Sequence, residues 1–207
     1  MDEFEKVNKG YFDKVAIKKE GNYQQEASNR LSDYVQSKNR KIILHNIEFK
    51  ENLLDIGCGN GDFTNELNKI APTTGIDISE EMIKLANKSF PDLKFLNSPV
   101  YKLPFKSKSF DSVICLNTIH HIKNTEKAIR EICRVTKNQI LIEIKNKYSL
   151  NYLRRSLIKN NNYRWKPTTV KEIKTVFNRY NFKLYKKYNI LPILNPVYLL
   201  DFRRNNE

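Results

Sequence analysis

The 207-residue sequence predicts an α/β protein with a seven-stranded, doubly wound sheet. That sheet is mostly parallel, with an antiparallel last strand and helices on both faces. Three observations predict it. Short apolar runs alternate with helical patterns from Asn52 to Ile144, the rhythm of parallel strands joined by crossover helices. The first run ends in glycines at alternate positions, Gly57, Gly59 and Gly61, and open α/β sheets bind ligands at that carboxyl end. Hydrophobic residues make up 40% of the chain and aromatic residues 11%, enough for a core, which excludes wholesale disorder.

Tyr23 to Asn46 reads as a helix, with Leu31, Tyr34 and Val35 on one face. Asn52 to Ile56 is a short apolar strand, Asp62 to Ile70 a helix and Thr73 to Ile78 a second strand. Ser79 then caps a helix to about Ser89. Its hydroxyl suits the N-cap, and Glu80 and Glu81 fall in the first turn, where the helix dipole favours acids. Leu93 to Leu96 and Phe110 to Leu116 are strands, Asn124 to Val135 a helix and Gln139 to Ile144 a strand, with a turn at Lys137-Asn138. Ser149 to Lys159 and Thr168 to Tyr180 read as helices, and Phe182 to Tyr188 and Val197 to Phe202 as closing strands. One domain is expected. It comprises a helical segment (1–50), a ligand-binding core (51–144), a basic helical cover (145–181) and closing strands (182–207).

The formal charge is +14, which excludes an acidic protein and invites nucleic acid, an anionic membrane surface or anionic small molecules. The charge is uneven. From Lys145 to Glu207 there are 15 Lys/Arg against three Asp/Glu, whereas Met1 to Ile144 holds 22 against 20. Compositional drift, visible in the 25 asparagines, spreads lysine evenly and does not produce this excess. The cysteines Cys58, Cys115 and Cys133 have neither disulfide-framework nor zinc spacing, so reduced thiols, no metal and a cytoplasmic protein are expected. The charged start Met1-Asp2-Glu3-Phe4 lacks a signal core, and no apolar run approaches the roughly 18 residues that span a bilayer.

The most informative stretch is Leu53-Leu54-Asp55-Ile56-Gly57-Cys58-Gly59-Asn60-Gly61-Asp62-Phe63. Glycine permits positive φ and close approach of the backbone to a ligand. The dinucleotide fingerprint Gly-x-Gly-x-x-Gly is not present, because the third glycine follows two residues after the second. Asp55 would repel a pyrophosphate and attract an ammonium group. Asp77, 20 residues after Gly57 at the end of the second strand, suits a ribose diol. An amino group and a ribose without phosphate describe S-adenosylmethionine.

On these residues the chain resembles the class I S-adenosylmethionine-dependent methyltransferases, a Rossmann-like group. Leu53 to Gly61 matches their first motif and Gly75-Ile76-Asp77-Ile78-Ser79 their second; Leu103-Pro104-Phe105, Ser109 to Ile114 and Asn117 to Ile122 match later ones. The resemblance covers roughly Leu53 to Ile144. It implies S-adenosylmethionine as cofactor, with Asp55 at the methionine moiety, Gly57, Cys58, Gly59 and Gly61 in the loop beneath it and Asp77 on the ribose. It also implies Ile78 and Met82 flanking the adenine, and Asn117 after the fourth strand. Many relatives carry an acidic residue for the adenine amine near Pro99; here the Val100 amide or Ser98 would have to serve. The Lys137-Asn138 turn replaces the relatives' Pro-Gly-Gly.

Methyl transfer is a direct displacement in which orientation supplies much of the rate, and hydroxyl or carbon nucleophiles benefit from a general base. His120 and His121 follow the fourth strand, with His120 slightly favoured as base and helix capping or packing as the other role. Tyr11, with Phe12 and Asp13, resembles an N-terminal segment that closes over the cofactor, and Tyr23 is a further candidate for the pocket. Arg154 and Trp165 in the basic cover are candidate substrate contacts.

Two kinds of acceptor follow. A small or lipid-linked molecule fits the resemblance to quinone-biosynthesis-type methyltransferases, with the cover helix near a membrane surface. Alternatively, Ile119-His120-His121-Ile122 resembles wobble-uridine transfer-RNA methyltransferases, and the basic third would contact phosphates. The small molecule is preferred, because no RNA-binding module or Asn-Pro-Pro-Tyr type motif is found. The oligomeric state is not legible.

Overall fold

The computed structural model of the chain describes residues 3–20, 30–146, 166, 168–191 and 197–205. Two helices come first, α1 (Glu3–Glu20) and α2 (Arg30–Asn46). Seven strands follow: β1 (Leu53–Ile56), β2 (Thr73–Asp77), β3 (Lys94–Asn97), β4 (Phe110–Cys115), β5 (Thr136–Lys145), β6 (Phe182–Leu191) and β7 (Val197–Arg204). Between them lie α3 (Asp62–Asn68), α4 (Glu80–Ser89), a 3-10 turn (Ile119–His121), α5 (Thr125–Val135) and α6 (Val170–Arg179).

The strands form one sheet in the order β3-β2-β1-β4-β5-β7-β6. β1 pairs in parallel with both β2 and β4, β2 with β3, and β4 with β5. β7 slots between β5 and β6 and is antiparallel to both, as the expectation of one antiparallel last strand required. β1 and β4 are buried throughout, which is why they read as unbroken apolar runs rather than alternating ones. β6 is an edge, and it exposes Lys183, Lys186 and Lys187, charges that discourage pairing with another chain.

Side-chain caps set the helix starts, Ser79 among them as the sequence suggested. Ser79 caps α4 by accepting from the Met82 amide at 3.1 Å, and Asn124 caps α5 by accepting from the Lys127 amide at 3.0 Å. Thr169 and Glu172 form a reciprocal capping box on α6. α5 places Ala128, Ile129, Ile132, Cys133 and Val135 on one buried stripe. With Ile173 and Phe177 of α6, they pack on the sheet face that carries Val113, Cys115, Ile140 and Ile142. Phe177 stacks on Phe202 at 4.1 Å. The opposite face carries Leu53, Ile114, Leu141 and Leu199 beneath Val35 and Ile43 of α2, Ile47 just after it, and Phe63 and Leu67 of α3.

One local expectation is corrected, and the first part of the helix expected from Tyr23, residues 23–29, lies outside the described residues. The turn expected at Lys137-Asn138 does not exist: α5 ends at Val135 and β5 begins at Thr136. The register shifts there, with Phe110 facing Thr136 and Ser112 facing Gln139, so β5 absorbs an extra residue as a bulge. The expected helix over Ser149 to Lys159 lies outside the described residues.

Candidate active site

The order of the strands reverses between β1 and β4, and a cavity of about 280 Å³ opens at their carboxyl ends. Its floor is the glycine loop. Gly57, Gly59 and Gly61 all have positive φ (75°, 54° and 83°), a region that side chains with a Cβ rarely adopt. The amides of Gly57 and Cys58 both donate to the Ile76 carbonyl, at 2.8 and 3.0 Å, and this folds the loop back on β2.

The three glycines differ in why they are glycine. A Cβ at Gly57 would lie 1.9 Å from Thr118 Oγ1, whereas one at Gly59 would meet nothing within 4 Å. Gly57 therefore makes room for the segment after β4, and Gly59 leaves open space on the cavity. Gly61 does not line the cavity. It precedes α3, where a Cβ would lie 2.7 Å from the Phe95 ring, so its placement departs from the expectation of a ligand contact.

Asp77 ends β2 and lines the cavity. Its Oδ2 accepts from the Gly59 amide at 3.0 Å and its Oδ1 from the Ser79 amide at 2.9 Å. Burial raises its pKa, and those amide hydrogen bonds oppose the rise. Asp55 in β1 is held by Thr64 Oγ1 at 2.7 Å. Burial pushes its pKa up to about 6, against the pull of that hydroxyl and of the Arg40 charge. Ile78, Met82, Ser98 and Val100 line the part of the cavity beyond Asp77, so an apolar slot adjoins the carboxylate. Cys58 also lines the cavity, and burial drives its thiol pKa upward, which leaves it unreactive.

Asn117 lies just past β4 and lines the cavity with φ at 49°. Its Oδ1 accepts from Lys145 Nζ at 2.5 Å. Lys145 also donates to His120 Nε2 at 3.2 Å, so that nitrogen serves as acceptor. The His120 side chain is fully buried and does not line the cavity. Burial, with the nearby Lys145 charge, holds its pKa well below the usual value. The sequence slightly favoured His120, but it is His121 that borders the cavity. The 3-10 turn from Ile119 to His121 separates the two neighbours in this way.

The N-terminal helix closes the far side. Asn8 Nδ2 donates to the His121 carbonyl at 3.0 Å, Phe12 meets the His121 ring edge-on at 5.2 Å, and Ser79 Oγ donates to Asp13 Oδ1 at 2.5 Å. Phe12 lines the cavity and Tyr11 does not; Tyr11 packs against the Phe12 ring at 5.3 Å. Tyr23, Arg154 and Trp165 lie outside the described residues.

Among the lining residues that sequence reasoning missed, two are charged groups from distant elements, Arg40 and Glu143. Arg40 reaches the cavity from α2 while pairing with Glu66 at 2.8 Å and stacking over Phe63 at 5.1 Å. Glu143 reaches it from β5. Burial raises the Glu143 pKa, opposed by the Lys145 charge, the Asn39 amide and the Asn117 backbone amide. An acid inside the apolar run Ile140-Leu141-Ile142-Glu143-Ile144 was the available signal.

Comparisons with known proteins agree with this geometry. A family model described as a methyltransferase domain matches residues 54–142. The chain is 33% identical over 157 residues to an uncharacterised protein of Methanocaldococcus jannaschii, covering 74% of this chain and 57% of that one. It is 33% identical over 92 residues to the demethylmenaquinone methyltransferase of Chlorobaculum tepidum, covering 44% of this chain and 38% of that one. The matched part thus spans about half the length of these curated relatives, or less. Among solved structures, magnesium protoporphyrin IX methyltransferase from Synechocystis PCC 6803 with bound SAH aligns at a TM-score of 0.76 and 18% identity, covering 98% of this chain and 100% of that one. At that identity the likeness speaks for the fold. The matched segment thus resembles a methyltransferase domain, and the glycine loop, Asp55 and Asp77 lie around one cavity within it.

Proposed function

We propose that this chain transfers the methyl of S-adenosylmethionine to a small or lipid-linked acceptor. The observation that carries the reading is one cavity that joins the Gly59–Asp77 pair at one end to Asn117 and His121 at the other. The bound cofactor supplies an electrophilic methyl on a sulfonium. The residues of this chain would hold it: Asp77 would accept from the ribose hydroxyls, and Ile78, Met82 and Val100 would pack the adenine. Asp55 would neutralise the ammonium, and Arg40 would meet the methionine carboxylate. The buried setting strengthens each of these charge contacts.

Catalysis then rests on alignment of acceptor and methyl. His121, at the cavity wall beside Asn117 and Phe12, is the histidine placed to take a proton from a hydroxyl or carbon acid. His120, buried and bonded to Lys145, positions the turn that carries it. The demethylmenaquinone methyltransferase name of the relative supports an acceptor of quinone type. Among the described residues no helix is long and apolar enough to cross a membrane, so a lipid-linked acceptor would be met at a bilayer surface.

Incubation with methyl-labelled S-adenosylmethionine, lipid extract and bulk transfer RNA tests the reading. Label is expected in the organic phase. Label in the RNA alone would establish the transfer-RNA reading in its place.

A further inference from the structure

We infer that Asp13 of α1 is a positioning residue for the ribose end of the cofactor: it holds Ser79, and Ser79 in turn holds the Asp77 carboxylate at the cavity. This rests on the methyltransferase reading of the cavity. Neither Asp13 nor Ser79 lines that cavity, whereas Asp77 does, so Asp13 meets a ligand there only through other residues. Ser79 is fully buried. Its hydroxyl oxygen accepts from the Met82 amide at 3.1 Å, and its proton goes to Asp13 Oδ1 at 2.5 Å, the length of a charge-assisted bond from hydroxyl to carboxylate. Lys9, one turn earlier on α1, donates to the other oxygen, Oδ2, at 2.8 Å, so each Asp13 oxygen has its own partner. A hydroxyl carries one proton. Without Asp13 that buried proton loses its acceptor, a cost that turning the Ser79 side chain relieves.

The link from Ser79 to Asp77 is direct. Ser79 donates its amide to Asp77 Oδ1 at 2.9 Å, and Gly59 donates its amide to Oδ2 at 3.0 Å. One of the two amides that orient the carboxylate thus belongs to the residue that Asp13 fixes. Burial is the main cause that raises the Asp77 pKa, and the Asp13 charge adds to the rise, so the two carboxylates sense each other. The same helix also meets the histidine: Asn8 Nδ2 donates to the His121 carbonyl at 3.0 Å, and Phe12 meets the His121 ring at 5.2 Å. Asn8 and Asp13 are five residues apart, roughly 7.5 Å along a helix axis. α1 therefore ties the ribose carboxylate to the His121 end of the cavity, with Asp13 as its anchor on the cofactor side.

A double-mutant cycle tests this, read by titration calorimetry with S-adenosylhomocysteine on the full chain. The ammonium and carboxylate of that ligand cancel, so the charge of Asp13 acts on it little from a distance. With Asp77 present, Asp13→Ala should weaken binding about five- to tenfold, the upper part of the range of one hydrogen bond. In the Asp77→Ala background the same substitution should change affinity by less than about twofold, because residues that act through one another are not additive. Asp13→Asn, which keeps an acceptor for the Ser79 hydroxyl, should bind within about twofold of wild type. An equal fold-loss in both backgrounds makes Asp13 an anchor of α1 alone and overturns the proposal. Unchanged affinity in Asp13→Ala also overturns it, as does a loss in Asp13→Asn as large as that in Asp13→Ala, which puts the effect in the charge. Failure of wild type to bind, or Asp77→Ala binding like wild type, contradicts the methyltransferase reading itself and takes this proposal with it.

Discussion

The Gly59 amide donates to Asp77 Oδ2 at 3.0 Å, so the carboxylate that lines the cavity also holds the glycine loop against β2. Ser79 completes the arrangement from the other side, its amide on Oδ1 at 2.9 Å and its hydroxyl on Asp13 of α1. Loop, second strand, fourth helix and N-terminal helix thus meet around a single side chain. A ligand that engages Asp77 therefore reports on all four elements at once, and substitutions around it separate folding effects from binding effects.

Gly57 and Gly59 give the clearest separation. Gly57→Ala drives a methyl into Thr118 and adds strain at a φ of 75°. A stability loss of roughly 2–4 kcal/mol is expected in chemical denaturation. Gly59→Ala meets open space, so its stability loss should stay near the roughly 1–2 kcal/mol of the left-handed backbone. Its methyl would enter the cavity, however, so cofactor affinity should fall more than stability does.

Asp55 trades stability for charge. Its folded pKa, about 6, lies above the ordinary 3.8. Between those values the folded state holds a proton that the unfolded state has released, so stability declines as pH rises through this window. Above it the buried charge costs about 3 kcal/mol. Asp55→Asn should therefore be more stable than wild type at pH 7, with the gap closing as pH falls towards 4. It should also bind S-adenosylmethionine more weakly. Thermal melts across that pH range check the first expectation and calorimetry the second.

The histidines should part in function. With an acceptor that must lose a proton, His121→Asn is expected to lower turnover by about 10²-fold or more while leaving the thermal midpoint close to wild type. His120→Asn should instead lower the midpoint, because it removes a buried ring and its bond to Lys145. Turnover and melting of both variants, measured side by side, check the assignment.

The core was legible because its signals are local. Asp55, Gly57, Gly59 and Asp77 fall within 23 consecutive residues, and the strand-to-loop-to-helix pattern places them without tertiary knowledge. Arg40 and Glu143 were not legible, since each reaches the cavity from an element whose packing partners lie far away in sequence. Asn39 contacts Glu143 across 104 positions. The sequence slightly favoured His120 over His121, and spacing alone could not show that the three-residue turn from Ile119 to His121 puts His121 at the cavity. Gly61 was misread for a related reason: its constraint comes from Phe95 on β3, and spacing alone cannot distinguish packing from ligand contact.

Titration calorimetry with S-adenosylmethionine on wild type and Asp77→Ala tests the central claim most directly. Wild type should bind one cofactor per chain. Asp77→Ala should bind it at least about tenfold more weakly, the lower end for loss of charge-assisted hydrogen bonds of about 1.5–3 kcal/mol. No measurable heat with wild type, or equal affinity in the two proteins, would contradict the account.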